Sequence, residues 1–282
     1  LNQDTLFLVH HFVNWFPMSL IIYQVDAFTK QVFKGNPAAI CFLSAFPDDE
    51  VMQAVAREMN LAETAFLVEL GVANWQLRWF TPVSEVDLCG HATLASAHLM
   101  YELGKVPPDS TIRFQTKSGE LRVVQAHNGL LEMDFPEEPI MRQIPGELLE
   151  MAIGAHSLFC GMNRMDAFVE ISSEEKLRVL NPDMRAIAEL PVRGLIVTAA
   201  AKTEGLDFVS RFFAPQLNIP EDPVTGSAHC CLAPYWAKKL GKTRMTARQV
   251  SPRGGNVEVE LKAGRVLLRG EAVTVMKAEL MY

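Results

Sequence analysis

No stretch of this 282-residue chain approaches the roughly 18 uninterrupted apolar residues of a transmembrane helix, so no membrane span is expected. Basic residues are in deficit, 26 Lys and Arg against 33 Asp and Glu. The resulting net charge of -7 gives no electrostatic footprint for a nucleic-acid backbone, and no nucleic-acid partner is expected. Cysteine is sparse and odd in number (Cys41, Cys89, Cys160, Cys230, Cys231), and the adjacent pair falls in a predicted helix. That excludes a disulfide framework and implies a reducing, cytoplasmic compartment. No Cys or His spacing matches a closed zinc site, so no metal is expected. The apolar run LFLVHHFV at 6–13 is too short for a span, and no Lys or Arg precedes it to make a signal peptide. Met18-Ser19 reads as a start, with residues 1–17 a tag or other non-native extension.

What is present is an ordinary globular composition, 49% hydrophobic and 21% charged, enough for one large domain or two modest ones. It also contains a partial copy of itself. RWFTPVSEVDLCGHATLASAHLMYELGK from Arg78 is followed, 133 residues later, by RFFAPQLNIPEDPVTGSAHCCLAPYWAKKLGK from Arg211. In each, an Arg-aromatic-Phe-small-Pro segment leads through an acidic loop to a glycine, Gly90 or Gly226. A small-residue helix then ends in Leu-Gly-Lys. One copy at a long offset predicts a duplicated domain rather than a solenoid.

Residues 20–28 and 38–43 read as strands joined by a Gly35-Asn36-Pro37 turn. Pro47 and Asp48 open a helix whose apolar residues recur at helical spacing up to a cap at Asn60. Thr64, Phe66 and Val68 share one face of the next strand, which puts Glu63 where a loop enters it. Gln76–Phe80 is a further strand. Antiparallel hairpins follow each motif helix, turning at Gly129 and Gly264. Phe135-Pro136-Glu137-Glu138-Pro139 reads as a linker, and 272–280 as a strand that returns to the first half. The expected domains are 18–126 with 271–282, and 127–270.

Two duplicated helices offer two N-termini to one cleft, where free amides and the helix dipole suit a carboxylate. Gly90 or Gly226 alone would be read as a tight turn; as a pair, the anion-binding reading has equal weight. His91 follows Gly90 at the cleft edge, though a histidine at a helix start is more often a cap or packed. His98 reads as core, and His229 is ambiguous. Asp222 and Ser227 singly would be a turn residue and an N-cap, but together they mirror the Gly90-His91 site. Glu63 has a mechanistic appeal: a carboxylate partly buried in an apolar cleft has a raised pKa and can move protons at carbon.

DAFTKQVFKGNPAAICFL, MNLAETAF, RWFTPVSEVDLCGHATLA and EDPVTGSAH together resemble, in order and over nearly the whole chain, the phenazine-biosynthesis-like (PhzF-like) family. The resemblance implies a diaminopimelate-epimerase-like α+β fold: two similar halves, each a curved, mainly antiparallel sheet around a central helix, with the site between them. It implies a cofactor-independent isomerase and a homodimer. The glutamate of the N-x-S/A-E-T motif falls on Glu63, and the other functional positions on His91, Asp222 and Ser227. Gly90, Gly226, Thr225 and Ala92 are the candidate substrate-binding residues. Ala62 replaces a serine often found before the glutamate. Racemases of this fold use two cysteines; Cys89 matches one, but no thiol lies near Val224 and Thr225, which disfavours that chemistry. The expected activity is proton transfer between carbons of a small carboxylate, cyclic ones included, with Glu63 as carrier. The alternative is a non-catalytic ligand-binding or protein-interaction protein.

Overall fold

The computed structural model describes residues 19–126 and 128–281; the expected extension over 1–17 lies outside the described residues. The first half runs β1 (Ser19–Ala27), β2 (Asn36–Leu43), α1 (Asp49–Met59), β3 (Glu63–Gly71), β4 (Asn74–Phe80), β5 (Glu85–Val86), α2 (Gly90–Glu102), β6 (Ile112–Thr116), β7 (Gly119–Gln125) and β8 (Leu131–Pro136). After β9 (Arg142–Gln143) and α3 (Glu147–Ile153), the order recurs as β10 (Ser157–Met162), β11 (Asp166–Ile171), α4 (Glu174–Arg178), α5 (Met184–Ala188), β12 (Gly194–Ala200), β13 (Phe208–Ala214) and β14 (Ile219–Asp222). It ends with α6 (Gly226–Leu240), β15 (Arg244–Gln249), β16 (Gly255–Lys262), β17 (Arg265–Gly270) and β18 (Ala272–Met281).

The pairing recurs as well. β2–β3 and β4–β6 are parallel, as are β11–β12 and β13–β15, and the remaining pairs are antiparallel. β8 is the seam, bonded to β7 on one side and β17 on the other. β18 lies antiparallel to β1, as β9 does to β10. The molecule is thus α+β, with two pseudo-symmetric halves in one continuous, mainly antiparallel sheet.

Each half wraps one face of its strands around a central helix. α2 buries nearly its whole circumference, with Ala92, Leu94, Ala95, Ala97, Leu99 and Met100 almost inaccessible, and α6 does the same through Ala228, Cys231, Leu232, Ala233 and Trp236. A helix apolar all round belongs inside, and small residues let the sheet close upon it. The two hydroxyls α2 carries inward bond back to its own carbonyls, Thr93 to Cys89 and Ser96 to Ala92. On the outer face α1 packs Met52, Val55 and Ala56 against Ile22, Ala39, Cys41 and Phe66. Alternation along β2 sends Ala38 and Ile40 to the central helix and Ala39 and Cys41 to α1. Asn60 caps α1 in the left-handed conformation, donating its amide to Ala56.

The repeated Arg-aromatic-Phe segment is a scaffold device. Arg78 forks onto Glu85 with both bonds at 2.7 Å, and Arg211 onto Glu221 at 2.7 and 2.8 Å. Each guanidinium also lies over the phenylalanine two residues on, Phe80 at 5.1 Å and Phe213 at 4.9 Å. Pro234 inside α6 frees the carbonyl of Cys230, and Glu138 of the inter-half segment donates its amide there at 3.0 Å. Among the described residues no helix is long and apolar enough to cross a membrane.

Arg211 is nearly buried and also donates to the carbonyls of Leu177 and Leu180. Arg211→Met should therefore cost about 3–5 kcal/mol, the range for stranding one partner of a buried pair. Arg78→Met, at a more exposed guanidinium, should cost less. Urea unfolding of both variants measures the difference; equal losses would contradict it.

Candidate active site

The duplication sets two helix starts against each other. A Cβ added to Gly90 would stand 3.9 Å from the Cα of Gly226, and one added to Gly226 would stand 3.8 Å from that of Gly90. Neither N-cap residue, Cys89 or Thr225, caps its helix with a side-chain hydrogen bond, so the first-turn amides of both helices converge on one place.

Glu63, first residue of β3, and His91, second residue of α2, meet there: Glu63 Oε2 lies 3.1 Å from His91 Nε2. The angle falls short of hydrogen-bond alignment, and neither buried atom has another partner. The other side of the imidazole faces Cys89 Sγ at 3.5 Å and Asn36 Nδ2 at 3.2 Å. Asn36 Nδ2 donates to Asp222 Oδ1 at 2.8 Å and to the Val224 carbonyl at 3.0 Å, joining the halves. The Thr225 hydroxyl donates to the second Asp222 oxygen. Gln249, fully buried at the end of β15, fixes this turn by accepting from the Thr225 amide and donating to the Asp222 carbonyl.

Burial alone would push the His91 imidazole down, but the Cys89 sulfur and the Glu63 carboxylate more than offset it and hold its value well above the usual one. Burial, with Glu63 beside it, pushes Cys89 itself up to about 11 against the opposing pull of His91. Burial also raises Asp222 to about 6, against the opposing pull of His91 and the bonds from Thr225 and Asn36.

Ser227 is placed differently from Glu63, His91 and Asp222. Its hydroxyl accepts from Arg193 Nη2 at 3.0 Å, and Arg193 in turn grips the fully buried Asp166 with two bonds of 2.8 and 2.5 Å. A guanidinium only donates, so Ser227 keeps its own proton free to donate elsewhere. Ala92 is fully buried. His229 is also fully buried; burial lowers it to about 4, so it is neutral and its Nδ1–H donates to the Thr225 carbonyl at 2.7 Å. His98, expected in the core, is only part-buried beside Glu102, because it lines an open surface pocket together with Tyr101 and Glu271.

The family model described as phenazine biosynthesis-like protein matches residues 25–278. The chain belongs to that family. An uncharacterized isomerase of Halalkalibacterium halodurans is 49% identical over 266 residues, spanning 94% of this chain and 99% of that protein. The crystal structure of a PhzF-family phenazine biosynthesis protein from Enterococcus faecalis, 43% identical, superposes with a TM-score of 0.86 over 93% of this chain and 99% of that one. A hydroxyproline epimerase from Agrobacterium vitis, 11% identical, shares the fold, with a TM-score of 0.61 over 95% of this chain and 93% of that one. Membership of the phenazine biosynthesis-like family, together with a relative named an isomerase, supports an isomerase type of role.

Within this phenazine biosynthesis-like chain, sequence reasoning missed Asn36, Gln249 and Arg193. The sequence places Asn36 in a turn, and its only signal is its place in a Gly-Asn-Pro triplet between two strands. Gln249 and Arg193 carry no motif at all.

The raised value of Asp222 has a thermodynamic sign. Its folded value lies above the unfolded value near 4, so folding takes up a proton between about pH 4 and 6. This group's contribution to stability therefore falls as pH rises through that window. Asp222→Asn should gain on the wild type by about 2–3 kcal/mol between pH 4 and 7. Urea midpoints across that range read the gain; a difference constant with pH would contradict the ionisation assigned to Asp222.

Proposed function

We propose that the protein is a cofactor-independent isomerase that moves a proton between carbons of a small carboxylated metabolite, with Glu63 as the proton carrier. The observation that carries this reading is the close approach of Glu63 and His91, whose facing atoms are buried, mutually adjacent and otherwise unpartnered. In the proposed reaction the Glu63 carboxylate removes a proton from a carbon next to an electron-withdrawing group. The electron pair spreads onto that group as an enolate, and the same carboxyl returns the proton at another carbon. His91, held toward its protonated form, faces Glu63 and offers a proton to the developing negative charge.

The second half supplies the anion-binding side. The amides at Gly226 and Gly90, the free hydroxyl proton of Ser227 and the partly exposed guanidinium of Arg193 suit a substrate carboxylate. Asp222, near 6, can share a proton with the substrate at neutral pH. The fixed amides and hydroxyl are aimed before substrate arrives, so no reorganisation is needed when charge develops.

Glu63→Gln keeps the shape of the side chain and removes its basicity. It should fold as the wild type, retain ligand binding and lose roughly 10²- to 10⁴-fold in turnover. The measurement is a thermal-shift screen of small cyclic carboxylates and amino acids, followed by NMR in D2O for deuterium entering carbon. Exchange with the wild type and none with Glu63→Gln is expected; equal exchange in both would overturn the assignment of the base, and ligands that bind without exchanging would point to a binding protein.

A further inference from the structure

We propose that a cavity at the far end of α2 is a binding site for a small organic ammonium ion, separate from the cleft at Gly90 and Gly226. The cavity, about 540 Å³, has the size of a small-molecule site. One wall is the last turns of α2, with His98, Tyr101 and Glu102, and another is the junction of β17 and β18, with Glu271 and Ala272. Glu102 ends the helix that Gly90 begins, so cavity and cleft stand about 18 Å apart along its axis.

The duplication shows what the second half does with the same space. Pro234 of α6 holds the place of His98, each eight residues after the first glycine of its helix, and Gly264 holds the place of Gly129, which also lines the cavity. In the second half five residues, 137–141, join β8 to β9 and lie along α6. Glu137 donates its amide to the Gly264 carbonyl at 3.2 Å and Glu138 to that of Cys230 at 3.0 Å, while Ile140 packs against the core. In the first half a single residue, Glu271, joins β17 to β18. With so short a connection the groove beside His98 stays open, lined by side chains where its counterpart is filled by chain.

The groups around the opening favour a cation with a carbon body. Glu102 and Glu271 bring two carboxylates from different elements, against the one ammonium of Lys30, whose side chain is 74% exposed and pairs with Glu271 at 2.6 Å. Burial holds His98 below its usual value against the pull of Glu102, so the imidazole is neutral at pH 7 and adds no opposing charge. Its Nε2 has no hydrogen-bond partner among the described residues and lies 3.9 Å from Glu102 Oε2, so the ring is free to turn and accept from a ligand N–H. Glu102 accepts from the Thr274 hydroxyl and keeps lone pairs to spare. Tyr101 commits its hydroxyl to the Ser110 carbonyl at 2.6 Å, which leaves its ring, with Leu131 and Ala272, as an apolar wall. An anion would meet the two carboxylates, and a bare inorganic cation would leave that wall unused. A short alkyl ammonium ion uses both.

Butane-1,4-diamine is the probe, with butanedioate as an anion of the same length, and calorimetric titration of the full chain at pH 7 and fixed ionic strength is the measurement. The diamine should bind saturably at one equivalent. Glu102→Gln and Glu271→Gln, both at partly exposed positions, should each weaken it by about tenfold or more, the effect of removing a charged hydrogen-bond partner. Glu102→Lys, which sets a cation in the cavity itself, should abolish it. Glu50→Gln, exposed on α1 and outside the cavity, should bind as the wild type. No saturable binding, binding unchanged in both glutamine variants of the cavity, or displacement of the diamine by butanedioate would overturn the proposal. The site is independent of the isomerase reading: Glu63→Gln should bind the diamine as the wild type does, so failure of the one and failure of the other give different results.

Discussion

Two α-helices that start within a carbon-to-carbon contact of each other, at Gly90 and Gly226, present two positive dipole ends to the same small volume. Left alone, that arrangement is unfavourable. Each half brings negative charge to it, Glu63 from the start of β3 and Asp222 from the end of β14. Much of the buried polar structure around it, the Asn36 bridge and the Gln249 brace included, keeps those groups in place. The molecule thus sets a carboxylate from each half, Glu63 and Asp222, beside one electropositive point.

Scaffold and chemistry follow different symmetries. The sheet pairing, the central helices and the Arg-to-Glu forks recur in both halves. The residues at equivalent points of the site do not. The first half sets a carboxylate at the entrance of β3 against the second residue of α2, as Glu63 and His91. The second sets a guanidinium beside the entrance of β12 against the second residue of α6, as Arg193 and Ser227. At these equivalent points the first half sets a carboxylate against an imidazole and the second a guanidinium against a hydroxyl.

The duplicated motif, the central helices, the cap at Asn60 and the residues Glu63, His91 and Asp222 were legible because local rules govern them. A repeat is visible as a repeat, a cap needs only its own turn, and a family motif keeps its residues in order. Asn36, Gln249 and Arg193 were not legible because their value lies in partners far along the chain: Asn36 reaches Asp222, Gln249 reaches Thr225, and Arg193 links Asp166 to Ser227. An amide or a guanidinium carries no local sign of such a partner. Ser227 shows the opposite case: taken singly, a serine at a helix start suggests a cap, whereas its hydroxyl is turned to an arginine.

β18 pairs along the full length of β1, yet it is made after every strand of the second half. During synthesis the first half therefore leaves the ribosome with the outer edge of β1 bare, its amides and carbonyls unpaired while β9 to β17 are still being assembled. An open edge of this kind invites pairing with other chains. The first half cannot close its own sheet as it emerges, so its completion awaits the last segment of the chain and ties the folding of the two halves together in time.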